Sequence, residues 1–350
     1  MTAQSTSLTR RTALRRAAAC LRESTAVLIT THLGADADGL GSSLALASAL
    51  ERIGIPAAIA LGGAIPARYT YIDAAGLAKI YGANDPLPEA DVVVVLDTSS
   101  GWDRVGAPGA TIAARRAARQ CTVICLDHHP HAAIAVDIPV IDPQATAVAV
   151  LVYQLVLLLT QSVSPQEAGW LYLGIVTDTA SFRFPNTNAE AHRIVADLAA
   201  RGADERRLYA EMYENTSVAK IRLLGEALMG IQLTCNGYLA VMTVTRDQFK
   251  RYGLAVEDAP GFADHAATVE GAEIGAALLE FPDARTRVIL RAAGNAPVDL
   301  IAQALGGGGH TFAAAAIIEG NADDALRMLM DSSCTYLTPD VPRDTTHAAD

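Results

Sequence analysis

Three short apolar runs stand out in the first half of the chain: Ala26-Val27-Leu28-Ile29-Thr30, Val92-Val93-Val94-Val95-Leu96 and Thr122-Val123-Ile124-Cys125-Leu126. None alternates with polar residues, so each predicts a parallel strand covered on both faces. Helical periodicity fills the intervals. Residues 42–53 repeat apolar positions at helical spacing and stop before Gly54, and residues 188–201 open on a capping Asn188 and stop before Gly202. The longest apolar run, 147–159, contains Gln154 and is too short to cross a bilayer, so it predicts a buried helix. Strands alternating with helices predict an α/β protein with a doubly wound, mainly parallel sheet.

The pattern changes after Gly202. Residues 204–220 are rich in charge and carry no strand signal, which predicts a helical connector. Beyond it, residues 238–245, 272–280 and 286–292 read as strands, with helices near Asp264 and Pro297, so a smaller mixed α/β domain is expected. The expected organisation is a metal-binding catalytic domain over 1–202, a linker over 203–222, a substrate-binding domain over 223–337 and a polar, frayed tail over 338–350. A length of 350 residues suits two cores, since single cores rarely grow past ~250–300 residues. The active site is expected in the cleft where the two domains face each other.

Composition narrows the partners. The formal charge of −11 argues against wrapping long duplex DNA, which calls for a broad basic surface. Five cysteines, Cys20, Cys121, Cys125, Cys235 and Cys334, form no C-x-x-C pair, so reduced, buried thiols in a cytoplasmic protein are expected. Arg10, Arg11, Arg15 and Arg16 are followed by no apolar stretch of secretory length, and no membrane association is expected.

The chemistry lies where the three strands end. The first runs into His32, Asp36 and Asp38, the second ends at Asp97, and the third at Asp127-His128-His129. Strand C-termini of a parallel sheet share one edge, where ligands collect. A fourth segment, Gly174-Ile175-Val176-Thr177-Asp178-Thr179, ends an apolar run on another acid. Any one such Asp is ordinarily a helix cap or turn residue. Asp36, Asp38, Asp97 and Asp178 together would crowd four negative charges, which two divalent cations neutralise.

These motifs, H-x-x-x-D-x-D-G-x-G-S, the strand ending in Asp97, D-H-H-P and T-D-T, resemble the four motifs of the DHH phosphoesterase family. Gly306-Gly307-Gly308-Gly309-His310 is similar to the signature of the associated C-terminal substrate domain. The resemblance covers about residues 25–315 and is nearest the NrnA-type branch of oligoribonucleases and 3′-phosphoadenosine-5′-phosphate phosphatases. It implies that His32, Asp36 and Asp97 hold one cation, and that Asp38, Asp97, His128 and Asp178 hold the other, with Asp97 shared. Carboxylates with imidazoles suit manganese, with magnesium as the alternative. Asp127 would orient a ligand, and His129 would contact the scissile phosphate or protonate the leaving oxygen. Arg291, Gly307, Gly308, Gly309 and His310 would bind a phosphate or terminal nucleotide, with Arg183 reaching the same place or forming a surface ion pair.

The implied activity is hydrolysis of short RNA or DNA oligonucleotides to mononucleotides, and dephosphorylation of nucleoside 3′,5′-bisphosphates. Linear products of cyclic dinucleotides and pyrophosphate are the competing substrates, and a non-catalytic nucleotide-binding module is the least favoured reading. The resemblance also allows a homodimer. Leu290 and Ala292 replace hydroxyls common in the family, and 311–316 lacks its closing glycine. Those departures bear on substrate choice rather than on the metals.

Overall fold

The computed structural model describes residues 3–129, 132–259, 261–294 and 296–337, so Pro130 of the D-H-H-P motif and the expected tail at 338–350 lie outside the described residues. The chain forms two compact units, residues 1–215 and 216–350.

The first unit runs α1 (Ala3–Glu23), β1 (Val27–Thr30), α2 (Ala37–Arg52), β2 (Ala57–Leu61), β3 (Ala78–Ile80), β4 (Val92–Leu96), α3 (Ala107–Ala117), β5 (Thr122–Asp127), β6 (Ile138–Ile141), α4 (Val148–Thr160), α5 (Pro165–Asp178), α6 (Ala189–Ala200) and α7 (Glu205–Tyr209). Its sheet has the order β3-β2-β1-β4-β5-β6, and every pairing is parallel. The order reverses between β1 and β4, which makes that edge the switch point where open α/β sheets bind ligands.

The continuous apolar runs are explained by cover on both faces. Val27 and Ile29, Val94 and Leu96, and Ile124 and Leu126 pack into the core with α1, α2, α4 and α5. Leu28, Val93, Val95, Val123 and Cys125 pack on the other face with Val105 and Ile112. Glycine brings α2 and α5 into close contact: a Cβ at Gly41 would stand 2.6 Å from Trp170 O, and one at Gly174 2.6 Å from Asp38 Oδ1. The 147–159 run is the buried α4, and among the described residues no helix is long and apolar enough to cross a membrane.

The connector begins as α7, widens into a π-helical turn at Ala210–Glu214, and the unit boundary follows Asn215. The second unit comprises α8 (Val218–Met229), β7 (Gln232–Thr234), β8 (Leu239–Val244), α9 (Arg246–Tyr252), α10 (Phe262–Ala266), β9 (Ile274–Glu280), β10 (Arg285–Ala292), α11 (Val298–Ala304), β11 (Gly308–His310), β12 (Ala313–Glu319) and α12 (Ala322–Ser333). Its sheet, β11-β12-β10-β9-β8-β7, is mixed: β8 and β9 are parallel and the other neighbours antiparallel. Leu239, Ile274 and Leu290 face α11 and α12, while Met242, Leu279 and Ile289 face the core with α8 and α10.

One sequence expectation is corrected here. Cys235 and Cys334 form a disulfide, with Cα atoms 5.5 Å apart, whereas Cys20, Cys121 and Cys125 are free thiols. The partners are 99 residues apart, so folding brings them together and no local spacing reveals it.

Candidate metal centre

Each acid and imidazole owes its place to the end of an element. Chain leaving β1 carries His32 to the start of α2, where Asp36 is the N-cap: its Oδ1 accepts from the backbone amides of Asp38 and Gly39, both at 3.0 Å. A Cβ on Gly39 would collide with Thr31 Oγ1, so glycine is required beside the acids. Asp97 follows β4 in the left-handed region at φ 59°, a conformation Asp tolerates better than most residues. Asp127 closes β5, and Asp178 is the last residue of α5, whose start is fixed by a Ser164–Glu167 capping box.

These residues converge into two groups that meet at Asp97. His32 Nε2 lies 3.4 Å from Asp97 Oδ2 and 3.8 Å from Asp36 Oδ1. His128 Nε2 lies 3.4 Å from Asp97 Oδ1 and 3.1 Å from Asp178 Oδ2. Ligand atoms of His32, Asp36 and Asp97 fall within 4.8 Å of one another, as do those of Asp38, His128 and Asp178. Both imidazoles present the same nitrogen for the same reason. Nδ1 of His32 contacts Leu33 O at 2.9 Å and Nδ1 of His128 contacts Ala145 O at 3.3 Å, which turns Nε2 toward the carboxylates.

Charge in this cluster is unbalanced without cations. Burial opposes a proton on His128, but Asp178 and Asp97 outweigh it and hold the ring well above the ordinary imidazole range; Asp36 and Asp97 do the same to His32. Burial raises Asp97, yet the two imidazoles win and hold it far below the carboxylate range. Burial, only partly offset by His128, pushes Asp178 up to about 6. Burial with Asp178 and Asp97 also pushes Asp38 well up, against the two α4 amides that favour its ionised form. Asp97 Oδ1 is buried and accepts no hydrogen bond of normal geometry among the described residues. A buried carboxylate oxygen so placed, among imidazoles with Nε2 turned inward, suits divalent cations.

Asp127 is buried behind this cluster. Its Oδ1 accepts from the backbone amides of His128 and His129 at 2.8 and 3.2 Å and pairs with His129 Nδ1 at 2.7 Å, while Oδ2 accepts from Ser99 Oγ. Asp127, outweighing burial, keeps His129 above its ordinary pKa.

Sequence reasoning missed several supports. Ser99 gave no signal, being one hydroxyl in a turn. Arg10 bridges Asp142 at 3.2 Å and Glu190 at 2.5 Å, and Asp142 donates its amide to Asp127 O. Asn186 Nδ2 ties Thr146 O to Asp178 O. The D-P pair at 142–143 was the one available hint of these supports.

In the second unit, Arg291 Nε donates to Asp264 Oδ1 at 3.0 Å. Gly308, Gly309 and His310 form β11, an edge strand rather than a flexible turn. A Cβ on Gly309 would stand 2.5 Å from Ala313 O, so close pairing with β12 demands glycine. His310 stacks on Phe312 with centroids 5.4 Å apart. Arg183, in the first unit, is exposed and donates Nε to Ala180 O; no ion pair engages it among the described residues.

Acids and imidazoles gathered at the switch edge of a parallel sheet suit divalent cations, and the family to which the chain belongs makes it a metal-dependent phosphoesterase. Residues 26–175 match the N-terminal domain of the DHH family. The chain is 30% identical over 316 residues, 89% of its own length and 90% of the relative's, to the bifunctional oligoribonuclease and PAP phosphatase NrnA of Thermus thermophilus. It is 27% identical over 215 residues to the same-named protein of Bacillus subtilis, covering 59% of this chain and 65% of that one. An exopolyphosphatase-related protein from Bacteroides fragilis shares the fold, with a TM-score of 0.84 at 22% identity over 93% of this chain and 97% of that one. The chain belongs to the DHH family.

Proposed function

We propose that this phosphoesterase hydrolyses short oligonucleotides of about two to five nucleotides to mononucleotides and dephosphorylates nucleoside 3′,5′-bisphosphates. One observation carries the reading: similarity to a protein named for those two activities extends over 90% of that protein's length, so it takes in both units.

In this reading His32, Asp36 and Asp97 hold one divalent cation, Asp38, Asp97, His128 and Asp178 hold a second, and manganese is preferred to magnesium. When bound there, the two cations would supply charge stabilisation to the phosphoryl oxygens and a water acidic enough to ionise near neutral pH. The residues do the rest. Asp97 keeps the two ligand groups in one frame because both imidazoles face it. His129, oriented by Asp127, donates a proton to the leaving oxygen, and Ser99 steadies Asp127. Asp38 is held by two amides of α4, so its carboxylate does not swing when a phosphate arrives. In the second unit Arg291, Gly307, Gly308, Gly309 and His310 bind a phosphate or terminal nucleotide, and in the first unit the exposed Arg183 offers a guanidinium to a phosphate.

Labelled RNAs of about two to twenty nucleotides, incubated with manganese and then with magnesium, test the proposal. Dinucleotides and trinucleotides are expected to disappear first, and 3′-phosphoadenosine-5′-phosphate to lose its 3′-phosphate. Equal or faster loss of the longest strands would overturn the preference for short substrates.

A further inference from the structure

Two tyrosines near the end of the first unit are left in the open. Tyr209 closes α7 and Tyr213 lies in the π-helical turn that follows, a backbone form that recurs at functional sites. Their rings are 5.0 Å apart, and they are 51% and 43% exposed. Two neighbouring rings exposed together present a contiguous apolar face of the kind that marks interaction sites.

Tyr213 is not loosely placed. Its Oη is hydrogen-bonded with Ser181 Oγ at 2.9 Å, and Ser181 lies three residues beyond Asp178. Ala180, Ser181 and Phe182 all have left-handed backbone, with φ of 47°, 60° and 66°, so the turn leaving Asp178 is held in a costly conformation with Tyr213 bonded to it. A third tyrosine, Tyr69, lies on the 3-10 turn Ala67–Asp73 within electrostatic reach of Tyr213, with the Arg68 guanidinium 4.5 Å from its ring centre. Burial, opposed by Arg68 and reinforced by Asp36 and Asp178, pushes the Tyr69 phenol up to about 12, as expected for a ring beside the acid cluster.

We propose that Tyr213, with Tyr209 beside it, is a stacking platform for a nucleobase of the substrate whose phosphate is held at the metal centre. A hydroxyl anchored on Ser181 fixes the ring before the ligand arrives. Anionic groups are drawn to the cations and to Arg68, and a planar π face is what two exposed tyrosines accept. A nucleotide brings both within one molecule. Stacking tolerates any base, so this platform selects nucleotides without reading sequence. The inference deepens the oligonucleotide reading and names a specificity residue for it.

The test compares binding of AMP with binding of ribose 5-phosphate, both with manganese present, by calorimetry on the full chain. Wild type is expected to hold AMP more tightly by about five- to a hundredfold, the scale of one base–aromatic stack. Tyr213→Ala and Tyr213→Leu should lose most of that preference, and Tyr213→Phe, which keeps the ring but not its bond to Ser181, should keep the larger part of it. Unchanged preference in both non-aromatic variants overturns the platform. So does a change of sedimentation without a change of preference, which would give the rings to a second copy of the chain. Because binding is measured, this result can fail while dinucleotide hydrolysis stands, or hold where hydrolysis proves to act on another phosphate ester.

Discussion

Asp38 caps a helix to which it does not belong. From the first turn of α2, its Oδ2 accepts the Val148 amide at 2.6 Å and its Oδ1 accepts the Ala149 amide at 2.9 Å, at the start of α4. Ala147, the N-cap of α4, offers no side-chain cap of its own. One carboxylate therefore closes α4 and stands in the acid cluster.

Asp38→Ala is accordingly expected to lose stability even with chelator present, by about 1–3 kcal/mol, because two buried amides lose their acceptor. Asp178→Ala takes an acceptor from the His128 ring but from no backbone amide among the described residues, and should cost less under the same conditions. Denaturant melts of the first unit's transition in excess chelator compare the two. Equal losses would contradict the capping role.

Asp97→Ala should abolish most activity, because both ligand groups lose a member. Asp127→Asn removes only an orienting partner, and about a ten- to hundredfold loss is expected. Initial rates on a dinucleotide at saturating manganese rank them, with Asp97→Ala lower.

Protons and cations compete for this site. Asp178 binds a cation only when ionised, and its pKa of about 6 means that affinity rises with pH through about 6 and then levels for that group. The carboxylates Asp36, Asp97 and Asp178 hold His32 and His128 above the ordinary imidazole range, so a cation at either Nε2 competes with a proton there. Manganese titration in two buffers of different ionisation heat should therefore show net proton release at pH 7. Heats independent of the buffer would contradict it.

Ala180 sits at φ 47°, where a Cβ is unfavourable by about 1–2 kcal/mol. Glycine removes that strain but adds unfolded-state entropy worth about 0.4–1 kcal/mol. Ala180→Gly should stabilise the first unit by about 0.5–1 kcal/mol, read as a higher denaturant midpoint.

The apolar code made the central strands legible, because β1, β4 and β5 are covered on both faces and each carries an unbroken apolar run, with Thr or Asp only at the strand ends. β3 is only three residues long, and β6 carries an exposed Pro139, so neither forms a comparable run. α2 begins at Ala37, before the apolar repeat, because Asp36 caps it there. β11 and β12 were hidden by glycine and alanine, whose pattern records close backbone approach more than hydrophobicity. The acids and histidines could be named from the strand ends. Their supports could not, since Arg10, Ser99 and Asn186 act through partners distant in sequence.

Crystals grown with manganese and measured at an energy where manganese scatters anomalously test the central claim most directly. Two peaks are predicted, one ligated by His32, Asp36 and Asp97 and the other by Asp38, Asp97, His128 and Asp178. Peaks elsewhere, or none at concentrations that support turnover, would contradict it.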